Sequence, residues 1–365
     1  MNKLVFFYPK IEDDGLKKTF ITYLKFFSEK YDVILITGNL NFRISKKLLN
    51  KIKIDYIKNS YINKIKLINN LFCFFKMFKY FNKKNIFFSL DKHFYPLVVK
   101  FFNQNLNLVL RIPNPILTKK VSKNYFFSNY AGNYMGKFDL NFLKFADKVI
   151  VYSKQNFDFI RKKYQFKNLV LIRNFFEKKR EVNNKKIKKI YNIFFIGRLE
   201  NNKDPFFFLN SLIKIKNLNL NLHIVGDGSE KKRLLKLKTS HYKKNIKIHG
   251  HVNDPFKKFY KNIDLFCLTS KYDGTPNVLG EAISYKIPCV APRSVGSVNE
   301  LLGNGKFGNI YKPEDEKNFT NVVIKALKNY KSSVLKAKLA YDNLEIYNKD
   351  NTLEKLNQTL ISLLR

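Results

Sequence analysis

The sequence predicts two successive α/β units, each a parallel sheet with crossover helices. Short β-branched and aromatic runs alternate along the chain with longer segments whose apolar residues recur at helical spacing. The alternation is interrupted once, by a polar stretch, and then restarts. At 365 residues the chain exceeds one ordinary core and suits two. Its 45% hydrophobic residues, with 36 Phe and 21 Tyr, supply apolar material for both and argue against long disorder.

In the first half the candidate strands are Lys3–Tyr8, Asp32–Thr37, Asn85–Leu90, Leu106–Ile112, Lys148–Ser153 and Leu169–Ile172. Between them, Lys17–Glu29 and Lys64–Phe81 carry helical spacing. Glu177 to Lys189 is rich in Lys and Asn and reads as the interdomain linker. The pattern then resumes with strands Asn192–Ile196, Asn221–Val225, Ile246–His249, Asp264–Leu268 and Pro288–Ala291. Helices are expected near 205–216, 229–239, 254–262, 277–285 and 315–329. The expected domains are therefore 1–180 and 190–345, followed by a terminal segment 346–365. The helix of that segment, Thr352–Leu364, either packs on the second domain or crosses back to the first. No short repeat occurs, so a solenoid is excluded.

Cys73, Cys267 and Cys289 are scattered in apolar runs, without C-x-x-C spacing or a nearby His. They read as small buried hydrophobes in a reducing compartment, and no metal site is expected. No run of about 18 apolar residues offers a transmembrane helix. The opening run Leu4 to Tyr8 is too short for a signal-peptide core, so a cytoplasmic protein is expected.

The net charge is +41, and only nine of the 69 basic residues are Arg. An AT-rich genome would also write that profile. The charge is uneven, however: residues 1–190 hold 40 basic against 12 acidic residues, and residues 191–365 hold 29 against 16. An anionic partner for the first half follows, either a membrane surface or a nucleic acid. The basic, aromatic Lys64–Lys84 is either a membrane-docking segment or one of the domain's own packing helices.

The chemistry-bearing signals lie in the second half. Phe194-Phe195-Ile196-Gly197-Arg198-Leu199, with Lys203 beyond, places two cations at the carboxyl edge of a sheet, where ligands bind in open α/β folds. Arg offers a fork for phosphate oxygens and Lys a point charge; alone, the pair would read as surface residues. Val225-Gly226-Asp227-Gly228 is a Gly-rich turn after a strand, but Lys231 stands where a dinucleotide fingerprint needs its third Gly. It would equally serve as a tight connection.

The strongest tract runs from Ser270 through Asp273-Gly274-Thr275-Pro276-Asn277-Val278-Leu279-Gly280-Glu281. Pro276 opens a helix, and the N–H groups of Asn277, Val278 and Leu279 are expected to face a phosphate or sugar oxygens. Asp273 and Glu281 flank that helix start and would accept hydrogen bonds from sugar and ribose. Singly, Asp273 would be a turn residue and Glu281 a solvated helix face.

In this order, and with His249-Gly250-His251-Val252, Pro288-Cys289-Val290-Ala291, Gly296 to Leu302, Ala146 to Ser153 and Arg173-Asn174, the tracts resemble the retaining family 4 glycosyltransferases of the GT-B fold. The resemblance implies two Rossmann-like domains facing a central cleft. It also implies transfer from a nucleotide-sugar co-substrate, a UDP-sugar, with no metal and no other cofactor. Arg198 and Lys203 would hold the donor diphosphate, Glu281 the ribose and Asp273 the transferred sugar. Gly197, Gly226, Gly228 and Thr275 would line the donor site, with Gly15 of Asp13-Asp14-Gly15-Leu16 beside the phosphates.

Two departures stand out. Asp273 replaces the usual Glu, one methylene shorter. Arg111 stands in the region where the family often carries a His, and it is taken as the substitute; His93, upstream, is set aside as incidental. The acceptor would be a glycan or a polyprenyl-diphosphate-linked glycan in surface polysaccharide synthesis. The rivals are a nucleotide-sugar epimerase of the same plan and a nucleic-acid-binding protein. No helix-turn-helix, zinc or RNA-recognition motif supports the latter, and no nucleic-acid partner is expected.

Overall fold

The structure, a computed structural model, describes residues 2–11, 15–38, 45–56, 66–112, 140–180, 188–241, 246–271, 273–293 and 296–364. It divides into two units, one of Met1–Asn174 with Asp350–Arg365 and one of Phe175–Lys349.

The first unit holds seven strands: β1 Lys3–Phe7, β2 Asp32–Ile36, β3 Ile52–Asp55, β4 Ile86–Ser89, β5 Asn107–Arg111, β6 Lys148–Val151 and β7 Leu169–Leu171. They stand in the order β3-β2-β1-β4-β5-β6-β7, every pair parallel. Leu4 to Phe7 are all buried because helices cover both faces, which is why such strands read as continuous apolar runs. Neighbouring residues still point to opposite faces. Phe6 and Phe88 meet Phe20, Tyr23 and Phe27 of helix Gly15–Phe27, with ring centroids 5.4 to 6.2 Å apart. Val5, Phe7, Phe87, Leu108 and Leu110 share the opposite core. That core takes Cys73 and Met77 of helix Lys66–Phe78, Leu97 and Val99 of helix Phe94–Phe102, Leu143 of the 3-10 turn Leu140–Phe145, and Ile160 of helix Lys154–Tyr164. Each fully buried Phe adds roughly 1.5–3 kcal/mol over an exposed one.

The final helix, Lys349–Ile361, belongs largely to this first unit. Tyr31 donates its hydroxyl to Asn357 Oδ1 at 3.0 Å, and Lys30 pairs with Glu354 at 3.3 Å. Leu353, Leu356 and Leu360 are buried.

The second unit holds β8 Ile190–Ile196, β9 Asn219–Val225, β10 Ile246–Gly250, β11 Leu265–Cys267, β12 Cys289–Pro292 and β13 Asn309–Tyr311. Their order is β10-β9-β8-β11-β12-β13, again parallel throughout. Local capping fixes two of its helices: Asp204 accepts from the Phe207 N–H at 3.1 Å and Asp315 from the Asn318 N–H at 2.9 Å. Of the expected linker, 181–187 lies outside the described residues. The segment before it packs on the second unit, the Phe176 N–H donating to the Tyr347 carbonyl at 3.0 Å and that of Lys179 to Ser284 at 3.1 Å. Strands β3 and β13 and helix Tyr330–Asn343 are additions to the sequence-based reading.

All three cysteines are free and buried. Among the described residues no helix is long and apolar enough to cross a membrane.

On one face of the second sheet, Phe194 stacks on His223 at 4.2 Å, and His223 Nδ1 lies 3.0 Å from His249 Nε2. Burial, reinforced by His249 and Lys247, holds the His223 imidazole down to about 4, and burial lowers His249 as well. His93 in the first unit is held down to about 3 by burial. Unfolded imidazoles titrate at about 6.5, so below that the unfolded chain binds more protons and folding is penalised. Stability should therefore fall as the pH drops from ~6.5 toward about 4. Thermal melts across this window should show a shallower slope for His223→Gln than for the wild type; identical slopes would remove His223 from the transition.

Candidate functional site

The strand order of the second sheet reverses between β8 and β11, which pair directly. In parallel α/β sheets the loops leaving two such strands diverge and leave a crevice at their carboxyl ends. Here those loops are Gly197 to Asp204 and Leu268 to Pro276. They are tied to one another. The Thr269 hydroxyl lies 3.0 Å from the carbonyls of Lys203 and of Asp204, the Lys271 N–H donates to the Asn202 carbonyl at 3.0 Å, and Lys271 Nζ pairs with Asp204 at 3.4 Å.

The central contact is an ion pair between Lys203 Nζ and Asp273 Oδ2, and Ser270 donates its hydroxyl to the same oxygen at 3.4 Å. The two side chains are only 20% and 14% exposed, so water screens the pair weakly. Arg198, at the end of β8, is exposed, and no hydrogen bond or ion pair to a described residue holds its guanidinium. One cation of the β8 loop is thus clamped, and the other is exposed, its charge acting on Glu200.

Gly226 and Gly228 let the turn after β9 approach the β8 loop closely. At Gly226, φ is +148° and an added Cβ would fall 1.8 Å from the Gly197 carbonyl oxygen. At Gly228 it would fall 2.5 Å from that of Leu199. The β9 turn is therefore pressed against the β8 loop, the Leu199 N–H donating to Asp227 O at 2.8 Å and the Glu230 N–H to Leu199 O at 2.9 Å. These glycines position Gly197 and Arg198 by backbone clearance. Gly197 itself is half-buried, with room around its Cα.

Helix Asn277–Ser284 follows, with Pro276 as its cap residue. The Leu279 N–H donates to the Pro276 carbonyl at 3.0 Å and the Leu279 side chain is wholly buried, so Leu279 offers a ligand nothing. A 3-10-type bond in the first turn takes the third N–H, which an ordinary α-helix would leave without an intrahelical partner, and this corrects the expectation of three N–H groups facing a ligand. Asn277 and Val278 are half-buried at the helix start, and Glu281 is half-buried one turn further on. Behind the turn, the Ser297 N–H donates to the Gly274 carbonyl at 3.0 Å. Two buried polar atoms here, Thr275 Oγ1 in the turn and Asn299 Oδ1 in the short helix Ser297–Leu301, have no hydrogen-bond partner among the described residues. Each such atom costs about 1–3 kcal/mol, a cost that a polar ligand would offset. Asn299 was absent from the sequence-based site; its signal was the Gly296 to Leu302 tract, noted only for its likeness to a family.

In the first unit, Gly15 begins helix Gly15–Phe27, and 12–14 lie outside the described residues. Arg111 ends β5 but is 2% exposed. Its guanidinium lies 4.1 Å from the Tyr152 ring and 5.7 Å from that of Tyr23, and it donates to Asn174 Oδ1 at 3.2 Å. Aromatic packing makes it an interior side chain, which departs from the expectation that it substitutes for the family's His at the reacting groups. His93, set aside from sequence, joins the same strand edge. Its Nε2 lies 3.0 Å from the Arg111 carbonyl, which can only accept, so the proton sits on Nε2 and Nδ1 accepts from the Ser89 hydroxyl at 2.7 Å. Among the described residues no cluster of three or more His, Cys, Asp or Glu could hold a metal ion.

Residues 175–340 match the family model of glycosyl transferases group 1. The chain is similar, at 30% identity over 176 residues, to an uncharacterized glycosyltransferase of Methanocaldococcus jannaschii; the match covers 44% of this chain and 43% of that one. It is 30% identical over 128 residues to the Campylobacter jejuni GalNAc-alpha-(1->4)-GalNAc-alpha-(1->3)-diNAcBac-PP-undecaprenol alpha-1,4-N-acetyl-D-galactosaminyltransferase, covering 34% and 35%. The chain thus spans less than half the length of these curated relatives. Among solved structures it resembles Anabaena Alr3699/HepE in complex with UDP and glucose, with TM-score 0.77 and 17% identity over 99% of this chain and 100% of that one. The fold, two parallel sheets with interleaved helices, is that of the GT-B glycosyltransferases.

Proposed function

We propose that this protein is a retaining glycosyltransferase that moves a sugar from a UDP-sugar to a glycan or a polyprenyl-diphosphate-linked acceptor. The carrying observation is the Lys203–Asp273 ion pair that joins the two loops at the β8/β11 crevice, with Arg198 on the same β8 loop, within the segment that matches the family model. Arg198 grips the donor diphosphate and Lys203 turns toward it as the developing charge competes with Asp273. Asp273 then accepts from a sugar hydroxyl and Glu281 from the ribose. Asn277 and Val278 present the helix start, while Thr275 and Asn299 gain the partners they lack. Because two cations and a helix terminus neutralise the leaving group, the reaction needs no metal. Arg111 supports the edge of β5 without touching substrate. The acceptor class draws support from the Campylobacter relative, whose name carries PP-undecaprenol, and the donor class from HepE, which was crystallised with UDP. Such an enzyme works in the cytoplasm, at the inner membrane face when its acceptor is a lipid.

Incubation with UDP-sugars, with and without a polyprenyl-diphosphate-linked glycan, tests this reading. UDP should be released only with acceptor, equally in the presence of a chelator, and the product should keep the donor's anomeric configuration. A changed sugar in an intact UDP-sugar, without any acceptor, would instead establish an epimerase.

A further inference from the structure

We propose that the outer helical face on one side of the first unit's sheet docks on an anionic lipid surface. This stands independently of the reaction proposed above. Helices Lys66–Phe78 and Phe94–Phe102 and the turn Leu140–Phe145 bury their inner sides in a single core, which places all three on one face of the sheet. Their outer sides are not the polar surface that a water-facing layer requires. Helix Lys66–Phe78 exposes Leu67, Ile68, Leu71, Phe75 and Phe78, with Phe75 66% exposed. The neighbouring elements expose Phe101, Phe102, Phe142 and Phe145, with Phe102 82% exposed. These four rings form one chain of contacts, Phe101 lying 5.4 Å from Phe102 and 6.1 Å from Phe145, and Phe142 6.0 Å from Phe145. Apolar surface on this scale marks an interaction site in a natural protein.

The charge around it identifies the occupant. From Tyr56 to Leu90 the chain carries seven Lys and no Asp or Glu, and across 56–138 Asp91 is the sole acidic residue. Lys79, Lys83 and Lys84 are exposed in the residues that follow helix Lys66–Phe78, Lys144 is exposed with its Nζ 5.9 Å from the Phe145 ring, and Lys76 lies over the Phe72 ring at 5.1 Å. A second copy of the chain, meeting this face through a twofold axis, would set these lysines against one another. An anionic bilayer satisfies both halves of the surface: the rings enter the headgroup and acyl boundary while the ammonium groups stay among the lipid phosphates.

Vesicle flotation of the full chain tests the proposal, using phosphatidylcholine alone and phosphatidylcholine with phosphatidylglycerol. The protein should float only with the mixed vesicles, and high salt should release part of it. Phe75→Ser with Phe78→Ser should lower the bound fraction, and high salt should release all that remains. Lys79, Lys83 and Lys84 replaced by Gln, changes confined to exposed side chains, should weaken binding by more than about tenfold. Unchanged flotation by both variants, or equal binding to neutral vesicles, would overturn the proposal. So would a dimer in the absence of lipid that the Phe variant converts to monomer, since a second copy would then cover this face.

Discussion

Arg198→Ala should lower kcat/KM for sugar transfer by roughly 30- to 1000-fold, a loss of about 2–4 kcal/mol of transition-state stabilisation. Arg198 stands two residues beyond β8, exposed, and among the described residues no hydrogen bond or ion pair holds its guanidinium, only the nearby charge of Glu200. A side chain held this way adds little to the unliganded fold, so the variant should melt within about 1 °C of the wild type, as surface changes of small free energy do. Its value arises when the diphosphate departs and negative charge grows on oxygens that a planar fork can grip at two points. The loss should therefore appear mainly in kcat. Arg198→Lys should recover only part of it, because an ammonium supplies the charge without the fork. Near wild-type kcat/KM in Arg198→Ala would remove Arg198 from the site.

Most of the architecture was legible because parallel strands covered on both faces must be apolar throughout. Lys3–Phe7 and Ile190–Ile196 announce themselves in that way. The two strands that escaped, β3 and β13, each stand at one edge of a sheet; β7 and β10, at the other edges, were legible. An edge strand has one neighbour and one protected side: Ile52–Asp55 fully buries only Ile52, and Asn309–Tyr311 only Tyr311. Burial alone does not separate them from the legible edges, since β7 buries none of its residues fully and β10 only Ile246; Ile52–Asp55 and Asn309–Tyr311 are short runs bounded by polar residues and lack the apolar stretch that marks a covered strand. The place of the site was legible for a related reason, since ligands gather at strand ends and the informative motifs each follow a strand.

What could not be read was how those motifs are used. Glycine after a strand looks the same whether it clears a phosphate or a neighbouring carbonyl, and at Gly226 and Gly228 the neighbour is the β8 loop. A helix start promises N–H groups, yet whether the cap carbonyl takes the third depends on the cap geometry at Pro276. Arg111 and His93 looked like a substitute and a bystander. The strand edge of the first unit packs them together, and burial decides their roles. The Lys203–Asp273 ion pair joins residues 70 positions apart, and only the adjacency of β8 and β11 brings them together.

That ion pair gives the second large expectation. Lys203→Met and Asp273→Asn should each destabilise the unliganded protein, because each strands a charge in a poorly hydrated place. The double variant strands neither, so its stability loss should be smaller than the sum, by a coupling of about 1–3 kcal/mol. Denaturant melts of the four proteins measure this directly. Turnover should behave differently. With donor bound, Lys203 serves the diphosphate and Asp273 the sugar, so removing both should leave kcat/KM at least as low as in the poorer single variant. Stability that recovers in the double variant while activity does not would separate the resting role of the pair from its working one. Strictly additive melts would show that the two charges do not depend on each other in the resting protein. A double variant with activity restored toward the wild type would show that the pair is structural alone, leaving the diphosphate to Arg198 and the helix start.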